Sequence, residues 1–266
     1  MNEENIKIIR CLWGKNNHQF FEKDLKSYHE ECVLAKENDD KYGIGNQLVI
    51  VWDKENRDFM EKIGYPYHYM GESNPFSLNL NFLHKILALE KAMEMYDEIL
   101  FLDWDCFAQK PLDDNFVNLL RSKGEIQIPL YFYPDEILNQ FKKIDPIVDD
   151  NMHYFNMFFY NMIRNCNWEF MNGLVIPNAG FIYCRDKDFF KNLLKIQKDN
   201  GIISNIEEIC ALIYFKDFVK STEEYIEKIE PLVCLGKDDL EMRGKQILLN
   251  KHTKEVLNKN IYFIHE

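Results

Sequence analysis

Two acidic residues at the end of an apolar run have the clearest chemical potential in the sequence. Asp103 and Asp105 flank Trp104, and four apolar residues (99–102) come directly before them. In an extended chain, side chains two positions apart point the same way, so we expect the two carboxylates to converge. Carboxylates that lie this close repel each other unless a divalent cation lies between them, and their oxygens suit Mg²⁺ or Mn²⁺. The pair therefore predicts a metal site that could stabilise a diphosphate leaving group.

This apolar run is one of several alternating strand and helix signals. Short apolar runs at 6–13, 47–52 and 98–104 predict buried strands. Apolar residues at helical spacing predict helices over 20–36 and 81–96. Buried strands that alternate with helices are typical of an α/β fold with a mostly parallel sheet and helices on both faces. Such sheets bind ligands at the carboxyl ends of their strands, which is where Asp103 and Asp105 fall.

The second half of the chain has weaker signals. Residues 174–184 predict a strand, a turn and a second strand, and 189–198 and 206–216 predict helices. A short apolar run at 261–264 predicts a last strand. The aromatic segment at 154–163 is interpreted as core, although its Tyr and Asn residues could also form a wall against a sugar.

Composition narrows the class of protein. The chain has 266 residues, of which 46% are hydrophobic, which is enough for a substantial core without disulfides. A net charge of −12 argues against nucleic acid or an anionic membrane surface as the main partner. Seven cysteines without a CxxC pair predict neither a disulfide framework nor a zinc site, so we expect a cytoplasmic protein. No signal peptide or transmembrane segment is predicted, and peripheral attachment to the inner face of a membrane stays open.

Four motifs, in order along the chain, resemble those of glycosyltransferase family 8, the group of glycogenin and of bacterial lipopolysaccharide galactosyl- and glucosyltransferases. The segment 83–107, with Lys85 and the Asp-Trp-Asp triplet, resembles the region around the family's DxD motif. The other three resemble its NAG turn, its acidic pair and the start of its C-terminal His motif, and they are Asn178-Ala179-Gly180, Glu207-Glu208 and Tyr262–His265.

The resemblance implies a GT-A fold and a nucleotide-sugar donor, most simply UDP-linked. It implies Mn²⁺ or Mg²⁺ as cofactor, a glycan or glycolipid acceptor, and transfer of a hexosyl unit with retention of the anomeric configuration. We expect a single domain over 1–266, with a nucleotide-sugar-binding half at 1–110 and an acceptor-binding half at 111–266 that ends in a metal-ligand strand.

The resemblance also implies a role for each matching residue. The implied metal ligands are Asp103, Asp105 and His265. Either Glu207 or Glu208 would orient or stabilise the transferred sugar as the catalytic carboxylate. The implied contacts to the nucleotide sugar are Asp53, Lys85, Asp103, Trp104, Asn178, Ala179 and Gly180.

Two other functions fit parts of the sequence. A phosphohydrolase of the haloacid dehalogenase kind also has a hydrophobic strand that ends in DxD, and Asp103 would then be its nucleophile. Cys106 and Phe107 do not match the residues expected after the second aspartate of such an enzyme. The third possibility is a protein that binds a nucleotide sugar without catalysing its transfer.

Overall fold

The computed structural model describes residues 6–14, 28–73, 83–122, 124–128, 130–133, 174–177, 179–202, 206–215, 233–235 and 262–265. The strands in these ranges are β1 (Lys7–Leu12), β2 (Gln47–Val51), β3 (Tyr67–Tyr69), β4 (Ile99–Leu102), β5 (Cys106–Ala108), β6 (Ile126–Gln127), β7 (Leu130–Tyr133), β8 (Leu174–Pro177), β9 (Phe181–Cys184), β10 (Val233–Leu235) and β11 (Phe263–His265). The helices are α1 (Tyr28–Lys41), α2 (Lys54–Ile63), α3 (Leu83–Met95), α4 (Asp114–Ser122), α5 (Phe189–Asn200) and α6 (Ile206–Phe215).

The main sheet has the strand order β3-β2-β1-β4-β9-β6. Strands β3, β2, β1 and β4 are parallel, β9 is antiparallel to β4, and β6 is antiparallel to β9. Because β3, β2, β1 and β4 are parallel, their carboxyl ends lie at the same edge of the sheet. The α/β fold with a mostly parallel sheet, predicted from the sequence, is confirmed.

Strand β4 is buried on both faces, as its uninterrupted apolar sequence requires. Successive strand side chains point to opposite faces. Ile99 and Phe101 accordingly pack in a core cluster with residues of α3, α5 and α6, whereas Leu100 and Leu102 pack in a second cluster with residues of α4. The helices on either face therefore fix the position at which β4 ends and the acidic residues begin.

A smaller sheet, ordered β10-β11-β5, continues from this edge. Strand β11 runs antiparallel to β5, and His265 lies opposite Cys106. Phe263 is buried against the rings of Phe116 and Phe181, and the Tyr262 hydroxyl donates a hydrogen bond to Asp113 at 2.9 Å. These contacts fix the final strand of the described chain beside the Asp-Trp-Asp segment.

Most of the predicted elements are found within a few residues of their expected bounds. The first helix ends at Lys41 rather than at residue 36, and residues 15–27 lie outside the described part of the chain. The aromatic segment at 154–163 also lies outside it. The sequence analysis did not predict helices α2 and α4 or strands β3, β5, β6, β7 and β10. The division into halves at 1–110 and 111–266 stays a prediction. None of the described helices is long and apolar enough to cross a membrane.

Replacing Phe263 by Ala tests whether β11 is docked as described. The ring is 0% exposed, so its loss should lower the free energy of unfolding by about 3–5 kcal/mol. Urea titration followed by circular dichroism measures this change. Met95→Ala is the control, because Met95 is 39% exposed and should change the free energy by less than about 0.5 kcal/mol. Equal stability of Phe263→Ala and the wild type would contradict the docking of β11.

Candidate active site

The carboxyl edge of the parallel strands gathers most of the predicted site residues. Trp13 and Gly14 follow β1, Trp52 and Asp53 follow β2, and Asp103 follows β4. Edges of this kind bind ligands in doubly wound folds, because backbone and side-chain groups from several loops converge there. We therefore take this edge as the candidate active site.

The Asp-Trp-Asp segment is a tight turn rather than an extension of β4. The Asp103 carbonyl oxygen accepts a hydrogen bond from the Cys106 N–H at 3.1 Å, which closes a turn over four residues. The two aspartates therefore do not lie in the extended conformation from which the convergence of their carboxylates was expected. The chain reverses here because β5 must turn away from β4 to pair with β11.

Lys85 brings three charged side chains together. Its ammonium donates a hydrogen bond to Oδ2 of Asp103 at 2.8 Å and lies 3.5 Å from Oε1 of Glu207. The ammonium also lies 4.8 Å from the ring centre of Phe101. The Lys85 side chain is only 4% exposed, and a buried charge persists only when it is paired. Helix α3, the turn after β4 and helix α6 are therefore joined at one point by ion pairs.

The charges in this group shift the pKa values of its members. Burial lowers the pKa of Lys85, but the nearby carboxylates of Asp103 and Glu207 outweigh burial and raise it above its usual value. Burial also raises the pKa of Glu207, and Lys85 offsets part of that effect. Lys85 is therefore a fixed cation at neutral pH, and Glu207 holds a proton more tightly than an exposed glutamate does.

The carboxylate of Glu207 is only partly satisfied by hydrogen bonds. Its Oε2 is buried and has no hydrogen-bond partner among the residues that the structure describes. Buried polar atoms are nearly always satisfied, so an atom of this kind is a good acceptor for a ligand hydroxyl. Glu208 is only partly buried, and it is Glu207 that approaches Lys85. The sequence left the choice between these two residues open.

The predicted NAG turn lies against the Asp-Trp-Asp turn. The Gly180 carbonyl accepts a hydrogen bond from the N–H of Asp103 at 2.8 Å and another from the thiol of Cys106 at 3.2 Å. Ala179 is buried beside it, and Asn178 lies outside the described residues. Two motifs that are far apart in sequence are thus in direct backbone contact.

Trp104 anchors the turn from the interior. Its indole N–H donates to the carbonyl of Cys11 at 2.8 Å, and its ring packs edge-on against Tyr65. The ring is buried in a core cluster with residues of α1 and β2. The contact of Trp104 with a nucleotide sugar, which the resemblance implied, stays a prediction.

Asp53 joins the loops that follow the first three strands. Its Oδ2 accepts the N–H of Gly14 at 2.8 Å, and its Oδ1 accepts both the N–H and the hydroxyl of Ser73, at 2.9 and 2.8 Å. The backbone of Asp53 has φ of 67°, which is uncommon and costly for a residue other than glycine. Three hydrogen bonds hold this conformation, and through them Asp53 sets the shape of the site. Its predicted contact with the base stays a prediction.

Arg10, which is buried within β1, is the main residue near the candidate site that the sequence analysis missed. It is 2% exposed on β1 and forms an ion pair with Asp39 of α1 at 3.1 Å. The available signal was a charged residue inside the apolar run of β1 (KIIRCL), where burial requires a partner.

The predicted metal ligands are only partly described. Asp103 and Asp105 lie in the turn, and the backbone of His265 lies opposite the next residue, Cys106. The side chain of His265 lies outside the description, and the described residues contain no group of three or more possible metal ligands. Two carboxylates beside a strand that carries a histidine fit Mn²⁺ or Mg²⁺ in donor chemistry.

Comparison with known proteins supports the fold. The sequence matches no protein-family model and no curated protein. The apo structure of mouse xyloside xylosyltransferase 1 matches with a TM-score of 0.50 at 9% identity, covering 98% of this chain and 97% of that chain. The galactosyltransferase LgtC, in complex with donor and acceptor sugar analogs, matches with a TM-score of 0.43 at 13% identity, covering 98% and 86%. The likeness to the mouse protein confirms the GT-A fold, and membership of family 8 stays a prediction.

Glu207→Gln should change how stability depends on pH. The raised pKa means that the folded wild type binds this proton more tightly than the unfolded chain, so Glu207 destabilises the fold as pH rises above about 4.3, the ordinary pKa of glutamate. The glutamine variant has no ionisable group at this position and therefore lacks this pH-dependent loss of stability. Its stability relative to the wild type should therefore increase between about pH 4 and neutral pH, as measured by urea unfolding at several pH values.

Glu208→Gln is the matched control, because this neighbour is only partly buried. Its difference from the wild type should vary much less with pH. A Glu207→Gln difference that is constant with pH would show that the carboxylate is not in the buried, unsatisfied state described.

Proposed function

We propose that the protein is a metal-dependent glycosyltransferase that moves a hexosyl unit from a UDP-linked sugar to a hydroxyl of a glycan or glycolipid. The proposal includes retention of the anomeric configuration. The observation that carries it is the meeting of Lys85, Asp103 and Glu207 at the carboxyl edge of a GT-A fold, directly beside the Asp-Trp-Asp turn. A buried cation between two carboxylates, one of which has an unsatisfied oxygen, is more typical of a functional site than of a packed core.

The donor would bind across the loops that follow β1, β2 and β4. Lys85 and the backbone of the turn would approach the diphosphate and sugar, and Asp53 shapes the side where the base would lie. The other proposed donor contacts are Asp103, Trp104, Asn178, Ala179 and Gly180. We assign residues 1–110 as the nucleotide-sugar-binding half and 111–266 as the acceptor-binding half, which also contributes Asn178, Ala179 and Gly180 to the donor site.

Asp103, Asp105 and His265 would hold Mn²⁺ or Mg²⁺. The bound cation supplies Lewis-acid stabilisation of the charge on the departing nucleoside diphosphate. The ammonium of Lys85 lies 2.8 Å from Oδ2 of Asp103 and would hold that carboxylate in place beside a bound cation.

Glu207 would orient the transferred sugar. Its unsatisfied Oε2 would accept a hydrogen bond from a sugar hydroxyl, while Oε1 faces Lys85 at 3.5 Å. Because Lys85 already holds the Glu207 carboxylate in place, Glu207 would position the sugar without a large loss of side-chain entropy on binding. Glu208 is the second candidate for the same role, from the next position on α6.

A panel of nucleotides tests the donor site by thermal shift. UDP with Mn²⁺ should raise the Tm of the wild type, since a ligand at 100 times its dissociation constant adds about 2.7 kcal/mol. GDP, CMP and ADP, and UDP without Mn²⁺, should raise it much less. Asp105→Ala should lose the shift, and Asp97→Ala should keep it, because Asp97 is 97% exposed and precedes β4 at the opposite edge of the sheet.

The thermal-shift panel, combined with assays of sugar transfer and of phosphate release, separates the alternatives. A missing shift with every nucleotide would contradict the proposal. A protein that binds a nucleotide but neither transfers sugar from a UDP-sugar nor slowly hydrolyses one would be a binding protein without catalytic activity. Release of inorganic phosphate from an aryl phosphate, lost in Asp103→Asn, would favour the phosphohydrolase.

Retention can be read from the first-formed product. In a proton NMR time course with an α-linked UDP-sugar, the newly formed product should carry the α configuration, and mutarotation of any free sugar should follow later. Lys85→Met should slow the reaction without changing the anomer that forms first. An initial β product would contradict retention while leaving the transferase proposal intact.

A further inference from the structure

The turn that carries Asp103 and Asp105 is held from beneath by one buried side chain. The guanidinium of Arg10 donates hydrogen bonds to the carbonyl oxygens of both Asp103 and Cys106, at 2.5 and 3.3 Å. These are the first and last residues of the turn. A single planar group therefore spans the turn and fixes the distance between its ends.

The position of Arg10 is itself fixed from the other side. Asp39 on α1 accepts two hydrogen bonds from Nη2 of Arg10, at 3.1 and 3.3 Å, and its Oδ2 also accepts the hydroxyl of Tyr65. The Trp104 ring lies 5.3 Å from the guanidinium carbon. Arg10, Asp39 and Tyr65 are all buried. Arg10 contacts the turn through the carbonyl oxygens and Tyr65 contacts it through the Trp104 ring, while Asp39 holds both side chains in place.

We propose that Arg10 is a positioning residue, which sets the geometry of the Asp-Trp-Asp turn and thereby the placement of the Asp103 and Asp105 carboxylates. The role of that turn as a donor and metal site rests on the proposed function above. The effect on the turn itself does not. Arginine is suited to this task because its rigid fork donates to several acceptors at once, whereas lysine has a single ammonium.

If Arg10 had only a role in stability, the effect of replacing it by Lys would be different. If Arg10 only neutralised Asp39, Lys would substitute for it, and the turn would keep its protection because Cys106 N–H and Gly180 still bond to Asp103. If Arg10 positions the turn, Lys would restore the charge but not the two carbonyl bonds. Helix α1 would still reach β5 through Asn38, which bonds both the N–H and the carbonyl of Ala108.

Hydrogen exchange measured by mass spectrometry on the ligand-free protein tests the proposal. In Arg10→Lys, the peptide that covers residues 103–108 should exchange faster by about tenfold or more, while peptides of α5 stay near wild type. Leu193→Ala, a buried change in α5, is the control for general loss of stability and should leave the turn protected. Equal exchange of the turn in Arg10→Lys and Leu193→Ala would overturn the proposal.

Tyr65→Phe is a milder second variant, in case Arg10→Lys does not fold. It removes only the hydroxyl that bonds Asp39, so the turn should loosen in the same direction by a smaller factor. Unchanged exchange of the turn in this variant, with Arg10→Lys unfolded, would also overturn the proposal.

Binding of Mn²⁺, followed by electron paramagnetic resonance in the presence of UDP, gives a readout at the site. Arg10→Lys should weaken Mn²⁺ binding by about 10- to 100-fold, the usual effect of losing a residue that orients metal ligands. Leu193→Ala should bind as the wild type does. Failure of the wild type itself to bind Mn²⁺ or nucleotide would contradict the proposed function, while the exchange experiment would still decide the role of Arg10.

Discussion

The need to pair every buried charge is the constraint on which this site depends. Two cations, Arg10 and Lys85, lie almost fully inside the protein, and each is compensated by carboxylates from other elements. Arg10 binds the Asp-Trp-Asp turn through its carbonyl oxygens, and Lys85 binds it through the carboxylate of Asp103. The geometry of the turn therefore depends on the packing of helices α1, α3 and α6 against the sheet.

Much of this could be predicted from sequence, because it follows from local patterns. The uninterrupted apolar run of β4 predicted a buried strand with acidic residues at its carboxyl end, and the structure has a buried strand there. The tight turn at Asp103 could not be predicted, since it is set by hydrogen bonds from Arg10, 93 residues away in the sequence. Glu207 and Glu208 could not be distinguished, because adjacent helical residues point about 100° apart and only the packing of α6 decides which faces Lys85.

Asp53 shows a different balance between local and long-range forces. Its left-handed backbone goes against its own conformational preference, and hydrogen bonds to Gly14 and Ser73 outweigh that cost. No local pattern around residue 53 predicts this, because its partners follow two other strands. The residues that shape the edge are therefore harder to find from sequence than those whose charge or periodicity marks them directly.

The pairing of β11 with β5 has a consequence for the order in which the parts of the candidate site form. Contacts between residues far apart in the chain form slowly, because a long loop must close before any pairing stabilises it. Strands β1 and β2 pair with partners in the first part of the chain and β4 pairs with both β1 and β9, whereas β5 pairs with residues 263–265. Among the strand pairs that the structure describes, β5 and β11 are the furthest apart in sequence, so the side of the candidate site next to Asp105 should form after the carboxyl edge of the parallel strands.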